Sequence, residues 1–336
     1  MAHSNPFGAR STADQILAGV DLTGKRFLVT GCSSGIGFET MNALAANGAH
    51  VIGLARTLAA AQTACARVGL SCTPVACDLS DLESVAAASD SIRALNAPLD
   101  AFIANAGIAN LPTLQTRYGV EMQFLVNYIG HFALVNRLCD IVRDGSGRIV
   151  LVSSSASIDR APAEGVMFDN LDGHRSYQPF VFYGQSKFAM ALFAKELSRR
   201  LKSRGIAVNS LHPGATKGTR LNQHLAQAFG RPLALIHAIA QLFMRNTQRG
   251  AATQALLAAS PRVTGISGEY WSDCRIADGH PLLGDAELAK QLWEVSDRIV
   301  AAHAEPLSPQ VEPMPPRTDP VSAQTEPKSK PFQAAA

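Results

Sequence analysis

Net charge is scarce in this sequence: 30 lysines and arginines nearly cancel 27 aspartates and glutamates, leaving +3 over 336 residues. No run of five basic residues occurs, so the footprint of a nucleic-acid binder, or of a protein held to an acidic membrane, is missing. Apolar runs stop short of the about 20 residues that span a bilayer. The opening stretch, MAHSNPFGARSTADQIL, has no basic start followed by an apolar run, so no secretory leader is read there and a cytoplasmic location is expected. Cysteine is sparse and scattered. Its six copies, Cys32, Cys65, Cys72, Cys77, Cys139 and Cys274, make no C-x-x-C pair and no metal-like grouping with the nine histidines. They read as reduced, mostly buried thiols, and no metal is expected. Small-molecule chemistry is the class left standing.

What is present is ordinary globular stock, 47% hydrophobic and 17% charged, enough to bury a full core. Short runs rich in Val and Ile, namely RFLVT (26–30), HVIGLA (50–55), LDAFIAN (99–105), RIVLVSS (148–154), IAVNSLH (206–212) and GEYWSD (268–273), alternate with Ala- and Leu-rich stretches at 36–47, 58–68, 120–143 and 182–203. Each run is too short for a buried helix. The alternation predicts an α/β domain, a doubly wound parallel sheet of about seven strands with helices on both faces and right-handed crossovers. The ends differ. Residues 1–21 read as an arm with one short helix near Ala13, and residues 304–336 as a Pro-rich disordered tail with eight prolines from 305 onward, too polar to offset its ordering entropy by burial. Residues 22–303 hold the fold.

Immediately after the first strand comes TGCSSGIGFET, residues 30–40. Gly31, Gly35 and Gly37 lie where a strand turns sharply into a helix. The helix start, with Ser33, Ser34 and Ile36, offers N–H groups and a positive dipole end to a pyrophosphate. The next strand ends in Ala55 and Arg56, where an NAD site places an acidic residue for the ribose 2′-hydroxyl and a basic residue pairs a 2′-phosphate instead. NADP(H) is the preferred cofactor on this reading, with NAD(H) second.

The segment FVFYGQSKFAM (180–190) sets Tyr183 four residues before Lys187, on one helix face. With five tyrosines and eight lysines in 336 residues, random placement gives about 0.12 such pairs, which favours chemistry over chance.

Taken in order, TGCSSGIG, CDLSD (77–81), ANAG (104–107), FLVNYIGHF (124–132), RIVLVSSSAS (148–157), YGQSK (183–187) and LHPG (211–214) resemble the signatures of the short-chain dehydrogenase/reductase family, over nearly all of residues 22–303. FDNLDG (168–173) and GAATQALLAAS...GISGEYWSDC (250–274) are similar to its retinol-dehydrogenase-like branch. The resemblance implies a single Rossmann-type domain. It also implies a hydride-transfer oxidoreductase with Tyr183 as general acid/base, Lys187 tuning it, Ser154 polarising the carbonyl and Asn127 completing a proton path. An ammonium about 4 Å from a phenol, at an effective dielectric near 20, favours phenolate by about 4 kcal/mol or roughly three pKa units, so Lys187 is expected to draw Tyr183 down toward neutral pH. By the same likeness Asp78 and Leu79 meet the adenine, Asn105, Ala106 and Gly107 line the cofactor, and Pro213 and Gly214 close over the nicotinamide. Asp78 has a second reading as a helix N-cap. Thr216 and Thr219 are spaced unlike the family's usual threonine, so the carboxamide contact stays unassigned.

The apolar stretch at 217–245 falls where the family builds its substrate lid, implying an apolar alcohol, aldehyde or ketone as substrate. A membrane-surface helix or a homo-oligomer face would carry the same pattern. Against the enzyme stand a non-catalytic NADP(H)-binding regulator and a sugar-nucleotide epimerase or dehydratase. The first is disfavoured by the intact Asn127, Ser154, Tyr183 and Lys187, and the second by Ser34 where its middle glycine would stand.

Overall fold

The computed structural model describes residues 5–69, 71–216 and 245–303. Its strands follow the Val- and Ile-rich runs: β1 (Arg26–Thr30), β2 (His50–Ala55), β3 (Cys72–Ala76), β4 (Ala101–Ala104), a small hairpin β5 (Thr116–Arg117) and β6 (Val120–Glu121), then β7 (Arg148–Val152), β8 (Ala207–His212), β9 (Tyr270–Ser272) and β10 (Arg275–Ile276). Across the main sheet the order is β3, β2, β1, β4, β7, β8, β9, β10, eight strands in all. The first seven are parallel and β10 runs antiparallel to β9. The extra strand beyond the expected seven is two residues long, entered through Asp273 and Cys274 at φ 55° and 60°. So short a strand leaves no periodic trace in a sequence. Pro74 sits in β3, which is the opposite edge of the sheet, where a missing N–H costs no ladder bond.

Every central strand is buried on both faces, and side chains alternate between two cores. Leu28 enters one with Phe102, Phe132 and Phe188; its neighbours Phe27 and Val29 enter the other with Met41, Ile103 and Leu256. The first core is covered by α4 (Leu82–Arg93), α6 (Gly130–Leu138), α8 (Pro179–Arg200) and the final helix, α11 (Ala286–His303). The second is covered by α1 (Ala13–Leu17), α2 (Gly35–Ala46), α3 (Leu58–Val68) and α10 (Ala252–Ala259). Three very short helices, α5 (Met122–Phe124), α7 (Ala156–Asp159) and α9 (Thr247–Gly250), complete the set among the described residues. Helix starts match their chemistry: Thr57 accepts from Ala60 N in α3, and Asp81 from Glu83 and Ser84 N in α4.

Two features of this frame position the site. The chain runs outward from β1 to β3 and then returns to β4 on the other side of β1. That reversal opens a crevice at the carboxyl ends of β1 and β4, where α/β sheets bind their ligands. On the other face, Phe132 lies 5.2 Å from Phe193 and 5.1 Å from Trp293, ring centre to ring centre. Such pairs contribute about 1 kcal/mol each beyond area burial and lock α6, α8 and α11 together.

One expectation fails here. Cys65 and Cys72 are joined as a disulfide, with Cα atoms 5.2 Å apart, while Cys32, Cys77, Cys139 and Cys274 are free and buried. The end of α3 and the start of β3 are brought together by a turn that residue spacing alone did not reveal. Among the described residues no helix is long and apolar enough to cross a membrane, and no three metal-binding side chains cluster.

Candidate active site

At the end of β1 the backbone turns through Gly31 at φ +72° and enters α2 through Gly35 at φ +62°. Gly37 is required by proximity: a Cβ there would stand 2.3 Å from the Gly31 carbonyl oxygen and 2.5 Å from the Asn105 amide nitrogen. The Ser34 hydroxyl, at the N-cap of α2, makes no capping bond, which leaves the first-turn amides to an incoming anion. Ser33, Ser34 and Ile36 are half-buried around this turn and Arg56 is exposed just past β2. These residues fit a dinucleotide phosphate.

Asp78 is not a helix cap. Its carboxylate accepts from the Ser80 amide and hydroxyl at 3.0 and 2.7 Å, and Asp81 caps α4 instead. Leu79 presents its carbonyl to α6, 2.3 Å from where a Cβ on Gly130 would be. Asn105 turns its side chain inward. Its Nδ2 donates to the Thr30 carbonyl at 2.9 Å, and its Oδ1 accepts from Gln254 at 3.0 Å, so it serves the scaffold of the crevice. Ala106 lies against Gly31. Gly107 faces the catalytic candidates: a Cβ there would stand 3.0 Å from Asn127 Oδ1 and 3.2 Å from Lys187 Nζ.

Helix α8 begins with Pro179 at its first turn and brings Tyr183, Ser186 and Lys187 onto one face. Ser154, just past β7, is half-buried, and its side chain acts on the Tyr183 phenol, favouring the charged form. Its neighbours are otherwise engaged: Ser153 Oγ donates to the Lys187 carbonyl at 2.7 Å, and Ser155 is exposed, its amide donating to His212 Nδ1. Of the three serines, only Ser154 acts on the Tyr183 phenol. Asn127 is fully buried, its Oδ1 accepting from Ile108 N at 2.8 Å and its Nδ2 donating to Ser186 Oγ at 2.9 Å. It stands in a five-residue π-helical turn, Leu125–Ile129, at the junction of α5 and α6, an irregularity that recurs at functional sites.

The electrostatics depart from the expectation. Burial pushes the Tyr183 phenol up to about 12; the Ser154 hydrogen bond opposes this and the nearby Tyr270 reinforces it. Lys187 Nζ is 6.0 Å from the Tyr183 ring centre and donates to the Val152 carbonyl at 3.0 Å. Burial in turn lowers the Lys187 ammonium to about 8. Desolvation dominates both groups because both lie in the interior.

The segment between Ser154 and Tyr183 is held to this helix and to the loop after β4. Met167 N donates to Gln185 Oε1 at 2.8 Å and Tyr177 OH to the Leu111 carbonyl at 2.7 Å. Gly184 lets the Arg160 backbone approach, since a Cβ there would lie 2.5 Å from the Arg160 carbonyl carbon. Past β8, Gly214 has φ +81°, and Thr216 Oγ1 donates back to the Gly214 carbonyl at 3.0 Å. Pro213 is half-buried beside it. Residues 217–244 of the expected lid, Thr219 among them, lie outside the described residues, as does the tail from 304. Sequence reasoning passed over Thr30, Gln254 and Tyr270. Tyr270 donates to the Ser154 carbonyl at 3.1 Å from a strand 116 residues away, and no local pattern could have announced it.

Comparison with known proteins gives the family. The family model for short chain dehydrogenases matches residues 25–167 and 170–229. A Streptomyces antibioticus protein named "Probable oxidoreductase" is 42% identical over 302 residues, covering 82% of this chain and 97% of its own. A crystal structure from Mycobacterium paratuberculosis superposes with a TM-score of 0.68 at 27% identity, over 88% of this chain and 99% of the other. A Burkholderia cenocepacia short chain dehydrogenase in complex with NADP superposes at 0.56, also 27% identical, over 74% and 98%. The chain belongs to the short-chain dehydrogenase/reductase family, and is an NAD(P)-dependent oxidoreductase acting on CH–OH groups.

Proposed function

We propose that the protein interconverts an apolar alcohol and its aldehyde or ketone with NADP(H), residues 22–303 forming the catalytic domain. The carrying observation is Tyr183 with the Ser154 side chain acting on its phenol and buried Lys187 Nζ 6.0 Å from its ring centre, at the crevice where the sheet order reverses. A bound nicotinamide supplies or accepts the hydride. Ser154 holds the substrate oxygen and Tyr183 passes the proton to or from it, in a pocket dry enough for each hydrogen bond to count. Lys187 keeps a positive charge beside the phenol, and Asn127 orders the proton path behind it. Gly31, Ser33, Ser34, Gly35, Ile36, Gly37, Asp78, Leu79, Asn105, Ala106, Gly107, Pro213 and Gly214 line the cofactor, with Arg56 placed for a 2′-phosphate. The NADP complex of the Burkholderia cenocepacia relative supports that cofactor.

The test is NADPH oxidation, followed by absorbance, with a panel of apolar aldehydes and ketones. Wild type turns over, and Tyr183→Phe loses at least about a hundredfold in kcat, the low end of a general acid/base contribution. Turnover equal in both proteins removes Tyr183 from the mechanism; cofactor binding by both with turnover by neither replaces the enzyme with a binding protein.

A further inference from the structure

Behind Asn127 lies a buried polar chain that the proposed chemistry does not use. His131, fully buried, touches two parts of the site: its Nδ1 is 2.9 Å from the Asn127 carbonyl oxygen and its Nε2 is 2.9 Å from Thr30 Oγ1. Thr30 closes β1 and leads into the glycine turn. Its hydroxyl oxygen already accepts from Asn105 N and Ala106 N, both at 2.9 Å. A hydroxyl has one proton and two lone pairs. Both lone pairs are taken, so Thr30 must donate, Nε2 must accept, and the imidazole proton resides on Nδ1, facing the Asn127 carbonyl. The chain continues beyond Asn105 through Gln254 to Thr40 Oγ1 and the Ile36 carbonyl of α2.

We infer that His131 is a positioning residue. It is held as the neutral Nδ1–H tautomer and fixes the carbonyl of the π-helical turn at Asn127 to the strand end that carries the cofactor turn. The inference rests on the proposed function for its consequence but not for its geometry. A π turn is a local departure that reverts to α-helix unless its surroundings over-determine it, and the Nδ1 bond to the Asn127 carbonyl is one such constraint. A protonated ring would turn a second N–H toward Thr30 Oγ1, whose lone pairs are occupied. The low basicity of this histidine, about 4, agrees: burial is the main cause, the Asn127 carbonyl opposes it, and the Lys187 charge adds to it.

The experiment has two arms. Long-range ¹H–¹⁵N spectra of the protein without added cofactor report the tautomer directly. The expected signature is a neutral ring with the proton on Nδ1 from pH 5.5 to 8, limits set about one unit or more above the titration point of a buried histidine. A ring protonated on Nε2, or one titrating near the ordinary histidine value, overturns the inference whatever the enzyme does. In the second arm His131→Asn retains a donor near the Nδ1 position and His131→Phe retains none. Loss of one buried hydrogen bond corresponds to about tenfold. His131→Phe should lose about that much in kcat, with His131→Asn recovering most of it. Equal losses in His131→Phe and His131→Asn would mean simple packing and overturn the positioning role. Wild type without turnover on any carbonyl, but with the Nδ1–H tautomer intact, would sink the proposed function and leave the tautomer standing.

Discussion

Lys187→Met should make the protein more stable at neutral pH while abolishing its turnover. Burial lowers the lysine to about 8 from its ordinary 10.5. Each pH unit of that difference is worth about 1.4 kcal/mol, so holding the charged form inside the fold costs about 3 kcal/mol below pH 8. The unfolded chain keeps its proton up to 10.5 and the folded chain only up to about 8. Between those values the unfolded state binds more protons, so wild-type stability rises with pH across the window and the penalty is gone above it. Methionine fills a similar volume without the charge. It forfeits the hydrogen bond from Nζ to the Val152 carbonyl, a loss of about 1 kcal/mol. The net expectation is a variant about 2 kcal/mol more stable at pH 7 and about equal to wild type at pH 10. Urea unfolding followed by circular dichroism at the two pH values measures both numbers. A variant less stable at pH 7, or a gap that does not shrink toward pH 10, would refute the assignment of Lys187 as a charged lysine kept in the interior at the expense of stability.

The other expectations follow from individual residues. Arg56→Ala should raise the Michaelis constant for NADPH by about tenfold, one charge-assisted hydrogen bond's worth, with little change for NADH; equal effects on both would detach Arg56 from the 2′-phosphate. Gly37→Ala forces a Cβ to within 2.3 Å of the Gly31 carbonyl. It should cost about 2 kcal/mol in stability together with most NADPH binding, and an unchanged melting midpoint contradicts it. Of the six cysteines, a thiol reagent in denaturant without reductant should find the four free ones and, after reduction, all six; finding six at the outset would remove the Cys65–Cys72 bond.

How much of this was legible depended on whether the signal was local. β1 and β2 begin and end where the runs RFLVT and HVIGLA do, because a central parallel strand is apolar on both faces. The Tyr183 and Lys187 pairing could be read because a helix converts a spacing of four into adjacency. The glycine turn could be read because only glycine tolerates its backbone. What stayed hidden was long-range. Thr30 and His131 are 101 residues apart in the chain, and nothing in either neighbourhood encodes their contact. The π turn at Leu125–Ile129 has the same apolar spacing as an ordinary helix, so periodicity is blind to it. The direction of the Tyr183 shift was misread for a related reason: the cation is written in the sequence, whereas burial is a property of the whole fold.

Gly184 ties the future of two segments together. Because the backbone at Arg160 rests where any side chain at 184 would stand, the segment between Ser154 and Tyr183 and helix α8 have to change in concert. Engineers who graft a different loop between Ser154 and Tyr183 will need to keep that glycine, or supply a loop that stands off the helix and surrender the close backbone contact it permits.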